Sequence, residues 1–122
     1  VVKLMLKKGV QVLGSKILIL GFTFKENCPD IRNTKVIDIY RNLKEYNSNV
    51  SIYDPWANRE FVNFEYGVDM ICELRGERYD TVILAVGHNK FKELKIKNLL
   101  KENHVLFDIK GVLPKEIVDY RL

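Results

Sequence analysis

Cysteine is scarce in this 122-residue chain, where Cys28 and Cys72 are the only two. Their separation fits neither metal-ligand spacing nor the dense cross-linking of a small secreted scaffold. A reducing cytoplasm is therefore the expected compartment. Long apolar runs are missing as well: none approaches the roughly 20 residues that span a bilayer, so no membrane role is expected. The start, Val1-Val2-Lys3-Leu4-Met5-Leu6, has no small-residue cleavage site after it and does not read as a signal peptide. It also lacks an initiator methionine, so the chain reads as part of something longer. Charge of one sign is nowhere concentrated. The 20 Lys and Arg stand against 16 Asp and Glu, a net charge of +4, and the basic residues are scattered among acids. That mild excess suits an anionic ligand such as a diphosphate. No aromatic residues are interleaved with the basic ones for base stacking, so nucleic acid is not an expected partner.

What is present describes one soluble α/β domain. A hydrophobic share of 47% with 30% charged residues is ordinary for a globular protein, and the length fits a single core. Residues 1–8 read as the last turns of a helix stopped by Gly9. Lys16-Ile17-Leu18-Ile19-Leu20 is a short continuous apolar run ending at Gly21, the pattern of a strand buried on both faces. Beyond it Val36, Ile39, Tyr40 and Leu43 recur at helical spacing, with Asn33 or Thr34 placed to cap. Further strands are expected at residues 49–53, 79–86 and 105–108, and helices at 58–66 and about 89–101. Residues 68–71 read as a short strand or turn. Strands alternating with helices of this length specify a doubly wound, Rossmann-like three-layer parallel sheet.

In such a sheet, ligands bind beyond the carboxyl ends of the strands, near the point where strand order reverses. Four places are nominated on that ground: residues 21–32, Asp54-Pro55-Trp56, Gly87-His88-Asn89, and Asp108-Ile109-Lys110-Gly111. The first loop carries only one of the three glycines of a dinucleotide fingerprint, so a self-sufficient NAD site is not expected. It does project Lys25 and Arg32, a point charge and a planar fork suited to phosphate, with Glu26 and Asp30 between them. Two readings stand for it: an anion-binding loop, or a solvated loop whose charges pair with each other.

Asp54 is expected to serve its turn with Pro55, and Trp56 to pack rather than stack on a base. His88 has no identifiable nucleophile or carboxylate partner, so a loop or capping role is expected. Cys28 reads as incidental and Cys72 as a core residue. Lys110 stands at a strand end beside Gly111, which permits close ligand approach. No metal cluster and no paired-carboxylate site are indicated.

The run Gly21-Phe22-Thr23-Phe24-Lys25-Glu26-Asn27-Cys28-Pro29-Asp30-Ile31-Arg32-Asn33-Thr34 resembles the signature opening the C-terminal domain of UDP-glucose/GDP-mannose dehydrogenases. Val50-Ser51-Ile52-Tyr53-Asp54-Pro55, Val82-Ile83-Leu84-Ala85-Val86-Gly87-His88 and Phe107-Asp108-Ile109-Lys110-Gly111-Val112-Leu113 are similar in order and spacing, so nearly the whole chain is covered. The form Phe-Lys-Glu-Asn-Cys-Pro-Asp-Ile-Arg-Asn-Thr most resembles the branch acting on UDP-N-acetylhexosamines.

The resemblance implies a three-part homodimeric enzyme of capsule or polysaccharide precursor synthesis. An N-terminal domain binds NAD, a central region carries the dimer interface, and this domain closes over the UDP-sugar. The implied reaction is a four-electron oxidation of the sugar C6 alcohol to a carboxylate, with two NAD and a cysteine thiohemiacetal. The implied substrate contacts are Phe24, Lys25 and Lys110, the last often Arg in relatives, and the implied NAD contact is Arg32. The catalytic cysteine belongs to an upstream motif, so no catalytic residue is expected here. Residues 1–13 would end a linker helix from the upstream region, and residues 14–122 would form the UDP-sugar-binding domain. Two other readings remain: a stand-alone nucleotide-binding module, and a receiver-like signalling domain. The second would need an acidic pair where Gly21-Phe22-Thr23 stands.

Overall fold

Alternation of isoleucine and leucine along Lys16–Leu20 decides which layer each side chain joins. In the computed structural model, which describes residues 1–121, Ile17 and Ile19 face one side of the sheet and Leu18 and Leu20 the other. All four are fully buried. Successive side chains of a strand point to opposite faces, so an unbroken apolar run requires a cover on both. The elements that supply it are α1 (Val2–Lys7), β1 (Lys16–Leu20), α2 (Val36–Lys44), β2 (Asn49–Tyr53), α3 (Arg59–Tyr66), β3 (Tyr79–Leu84), α4 (Asn89–Lys92), β4 (Leu100–Asp108) and β5 (Tyr120–Arg121).

The five strands are all parallel and lie in the order β2-β1-β3-β4-β5. On the first face Met5 of α1, Val36 and Leu43 of α2 and Val62 of α3 pack on Ile17, Ile19, Ile52, Ile83 and Val105. On the second, Phe91 of α4 and Ile96 and Leu99 of a 3-10 turn cover Leu18, Leu20, Val82, Leu84 and Leu106. Each such aliphatic side chain contributes about 1.5–3 kcal/mol on burial. The doubly wound three-layer sheet is the one expected. Because β2 lies on one side of β1 and β3 on the other, strand order reverses between β1 and β3. The loops leaving those two strands flank the crevice.

Local chemistry sets the helix starts. Thr34 Oγ1 accepts from the Val36 N–H at 3.2 Å and donates to the Phe22 carbonyl at 2.6 Å. It caps the first turn of α2 and ties that turn to the loop after β1. Asn58 caps α3 by accepting from the Phe61 N–H at 3.1 Å. α1 is docked as well as helical: Met5 is fully buried, and Lys8 Nζ lies 2.7 Å from Asp119 Oδ1 near the far end of the chain. No helix among the described residues is long and apolar enough to cross a membrane.

Four local expectations are corrected. The helix expected over residues 89–101 is α4, a single turn, followed by the 3-10 turn Ile96–Leu99. The buried Phe91 and the buried Ile96 are five positions apart, a spacing that does not return to the same face of an α-helix. The strand expected at 105–108 begins at Leu100, where it pairs with Tyr79 ahead of an irregularity in the ladder. Residues 68–71 form no strand. Val68 and Met70 are buried there, and the Ile71 N–H reaches the Ile52 carbonyl at 3.0 Å. Cys72 is exposed, not core, because the inward alternation of Val68 and Met70 ends where the chain bends at residues 72 and 73. β5 was not expected. Its two residues are too few to show a period, and it is held by stacking of Phe107 on Tyr120 with ring centroids 4.8 Å apart.

Candidate functional site

The site begins where β1 ends. Gly21 has φ +101°, and a Cβ there would lie 2.6 Å from Val86 Cβ and 2.9 Å from the Val86 nitrogen. Only glycine permits that approach and that backbone angle. The contact brings the loops after β1 and β3 together at the reversal point. The N–H groups of Ala85 and Val86 both reach the Leu20 carbonyl, at 2.9 and 3.3 Å.

Asp54, at the end of β2, is the anchor of the whole edge. Its Oδ2 accepts from the N–H of Phe22 at 2.7 Å and of Thr23 at 3.1 Å, and lies 2.9 Å from His88 Nε2. Its Oδ1 accepts from the Trp56 N–H at 2.8 Å. Burial pushes this carboxyl up. The hydrogen bond from His88 and the two loop N–H groups outweigh that and leave it below its ordinary value. The turn role expected for Asp54 is present, and it is the smaller part of what the residue does.

His88, expected to lack a carboxylate partner, has one in Asp54 and is itself fully buried. Its Nδ1 accepts from the Asn27 N–H at 2.8 Å. That places the ring proton on Nε2, which points at Asp54 Oδ2 and at Thr23 Oγ1, 3.1 Å away. The Thr23 hydroxyl donates its own proton to the Lys25 carbonyl at 3.0 Å and so accepts from the ring. Trp56 lies over the imidazole with centroids 6.1 Å apart, and Phe91 is 5.3 Å away. Trp56 keeps 40% of its surface exposed while it touches the imidazole. Sequence reasoning missed the Asp54–His88 pair because the residues are 34 positions apart. Its signal was that both end strands neighbouring β1.

A buried threonine, histidine and aspartate in contact invite a nucleophile reading, which the geometry excludes. Thr23 is 1% exposed and its proton is already committed to a backbone carbonyl, so no substrate reaches it and no base activates it. Among the described residues no group of three or more His, Cys, Asp or Glu is arranged to hold a metal. Asp54, which ends β2 where a dinucleotide fold carries its ribose-binding acid, is likewise taken up by the protein, with donors on both carboxylate oxygens.

The loop above this network is fixed at its base and open at its crest. The Phe24 N–H donates to the Asp30 carbonyl at 2.7 Å, and the Tyr66 hydroxyl donates to the Ile31 carbonyl at 2.7 Å. Phe24 is 54% exposed. Lys25 is exposed, and among the described residues its ammonium has no hydrogen-bond or ion-pair partner. Arg32 differs. It forks onto Asp30, Nε to Oδ1 at 3.0 Å and Nη2 to Oδ2 at 3.1 Å, while remaining mostly in solvent. That fork lowers the Asp30 carboxyl and raises the Arg32 guanidinium. The two readings of this loop are thus divided between its cations: Arg32 pairs internally and Lys25 does not.

Lys110 leaves the same sheet edge from β4. Asp108, fully buried, accepts from the N–H groups of Lys110 at 3.0 Å, Gly111 at 2.8 Å and Leu113 at 2.8 Å. The turn so formed exposes Lys110 and sets its Cβ 3.7 Å from the Cβ position of Gly87. Lys110 therefore stands beside the loop after β3, on the other side of the crevice from the loop after β1. Cys28 is half-buried in the loop that carries Lys25.

Residues 18–115 match the UDP-glucose/GDP-mannose dehydrogenase family, UDP binding domain. The chain is 51% identical to the UDP-N-acetyl-D-glucosamine 6-dehydrogenase of Salmonella typhi and 47% identical to that of Pseudomonas aeruginosa. Each comparison covers 99% of this chain and 29% of the relative. The chain thus spans under a third of the length of these relatives. Among solved structures, the NDP-N-acetyl-D-galactosaminuronic acid dehydrogenase of Methanosarcina mazei superposes with a TM-score of 0.79 at 24% identity. That superposition covers 93% of this chain and 24% of the other, and it speaks for the fold. On its match across the sheet, the crevice loops and Lys110, the chain belongs to the UDP-glucose/GDP-mannose dehydrogenase family and forms its UDP-binding domain.

Proposed function

We propose that this domain holds the UDP end of a UDP-N-acetylhexosamine within a cytoplasmic, homodimeric, NAD-dependent 6-dehydrogenase. The enzyme converts the sugar C6 alcohol to a carboxylate for polysaccharide or capsule precursors. The observation that carries the reading is Lys25. Its ammonium has no hydrogen-bond or ion-pair partner among the described residues, and it stands on a loop anchored from beneath, at the reversal point of a parallel sheet, where a diphosphate is expected to bind. Phe24 offers an exposed aromatic surface next to it, and Lys110 a second cation across the crevice. Arg32, extended into solvent with its fork steadied by Asp30, is the residue we assign to NAD held by the rest of the protein. The preference for an N-acetylhexosamine rests on the two relatives near 50% identity.

The test is the full-length protein assayed with NAD against UDP-N-acetylglucosamine, UDP-N-acetylmannosamine and UDP-glucose. NADH formation with a UDP-N-acetylhexosamine ahead of UDP-glucose is expected. Failure to oxidise any UDP-sugar would overturn the proposal.

A further inference from the structure

His88 is buried away from any ligand, yet both its ring nitrogens hold the ligand loop. We propose that His88 is a positioning residue for that loop, setting through Asn27 where Phe24 and Lys25 stand; this rests on reading Lys25 as a diphosphate contact. The two nitrogens act on different partners. Nε2–H is directed inward, to Asp54 Oδ2 at 2.9 Å and Thr23 Oγ1 at 3.1 Å. Nδ1 accepts the Asn27 N–H at 2.8 Å. Asn27 has φ +55°, a left-handed conformation that costs most residues about 1–2 kcal/mol. It is held there from two sides, by the imidazole on its N–H and by the Asn89 N–H on its Oδ1 at 3.0 Å. Lys25 is consequently bracketed. Thr23 bonds the Lys25 carbonyl on one side, Asn27 is pinned on the other, and both brackets meet on one imidazole. Trp56 and Phe91 keep the ring from turning.

Asparagine and glutamine separate the two contacts. An asparagine Oδ1 stands near the place of Nδ1, whereas a glutamine amide reaches toward that of Nε2. His88→Asn therefore keeps the acceptor for Asn27 and gives up the Nε2 contacts to Asp54 and Thr23, while the Thr23 hydroxyl still holds the Lys25 carbonyl. His88→Gln does the reverse. In the full-length enzyme we expect His88→Gln to raise KM for the UDP-sugar about fivefold with kcat little changed, and His88→Asn to stay within about twofold of wild type. Both variants lower the thermal midpoint, so stability alone does not produce the split. Amide hydrogen exchange at Asn27 accelerates in His88→Gln and stays slow in His88→Asn. Equal rises in KM for the two variants, or equal exchange at Asn27, would overturn the assignment. A wild-type protein that oxidises no UDP-sugar sinks the proposed function instead, and the exchange comparison still decides the role of His88.

Discussion

Gly21 and Val86 come so close that a β-carbon on the glycine would sit 2.6 Å from the valine Cβ. This contact joins the loops after β1 and β3 where strand order reverses. Gly21→Ala meets both a steric overlap and a positive φ, and it should destabilise the domain by about 3 kcal/mol. Urea unfolding of the chain measures it. A change below about 1 kcal/mol would show that the two loops separate easily.

Lys25 and Arg32 should be separable by which ligand each affects. Lys25 has no partner among the described residues, so Lys25→Ala leaves the fold intact. It should raise KM for the UDP-sugar about tenfold, as loss of one charge-assisted contact does. Arg32→Ala should chiefly raise KM for NAD. Steady-state kinetics of the full-length enzyme with each substrate varied in turn decides this, and unchanged constants in both variants would falsify the site assignment.

Asp54 makes stability depend on pH in a stated direction. Its folded-state carboxyl lies below the ordinary value of 3.8. Its contribution is fully present above the unfolded value and is lost as pH falls through the folded one. Asp54→Asn should cost about 2 kcal/mol at neutral pH, because one of its side-chain positions then faces N–H donors with a donor of its own. Unfolding midpoints of the two proteins should run parallel well above pH 3.8 and converge below it. Asp30 and Glu77, also lowered, are common to both proteins and do not affect the difference.

Thr81 in β3 is fully buried, and its hydroxyl is a buried side-chain oxygen with no hydrogen-bond partner among the described residues. Thr81→Val replaces that hydroxyl with a methyl of similar size. It should stabilise the domain by about 1 kcal/mol, since it removes an unpaired buried polar group. Thermal melts of the two chains are the comparison; a lower midpoint for the variant would mean that the hydroxyl is paired in solution.

Chemistry should be absent from this chain taken alone. Mixed with NAD and UDP-N-acetylglucosamine, it should yield no NADH, because among the described residues no side-chain hydrogen bond joins Cys28 or Cys72 to a base, and both oxygens of Asp54 are taken by protein donors. Sustained turnover would contradict that directly.

The sequence by itself determined the layers and the edge. The apolar run Lys16–Leu20 could only be a strand covered on both faces, and Gly21, Asp54, His88 and Asp108 could be placed at strand ends from local pattern. Periodicity is a local property, so local residues suffice to show it. Where a pattern was short or two elements competed, the sequence was silent or misleading. α4 gives way after one turn to the 3-10 turn at Ile96, and β5 is held by its ladder with β4, by the bonds between Asp119 and Leu106, and by Tyr120 on Phe107.

Tertiary structure alone decided how the strand-end residues are used. Asp54 reads as a turn residue and His88 as a loop or capping residue until strand order sets them on either side of β1, where each is taken up by the other. It also told the two cations of the loop apart: Arg32 forks onto Asp30 two residues away, and Lys25 makes no hydrogen bond or ion pair among the described residues. A hydrogen bond needs its partners within about 3 Å in space, and a distance of that kind across 34 residues is decided by how the sheet is wound.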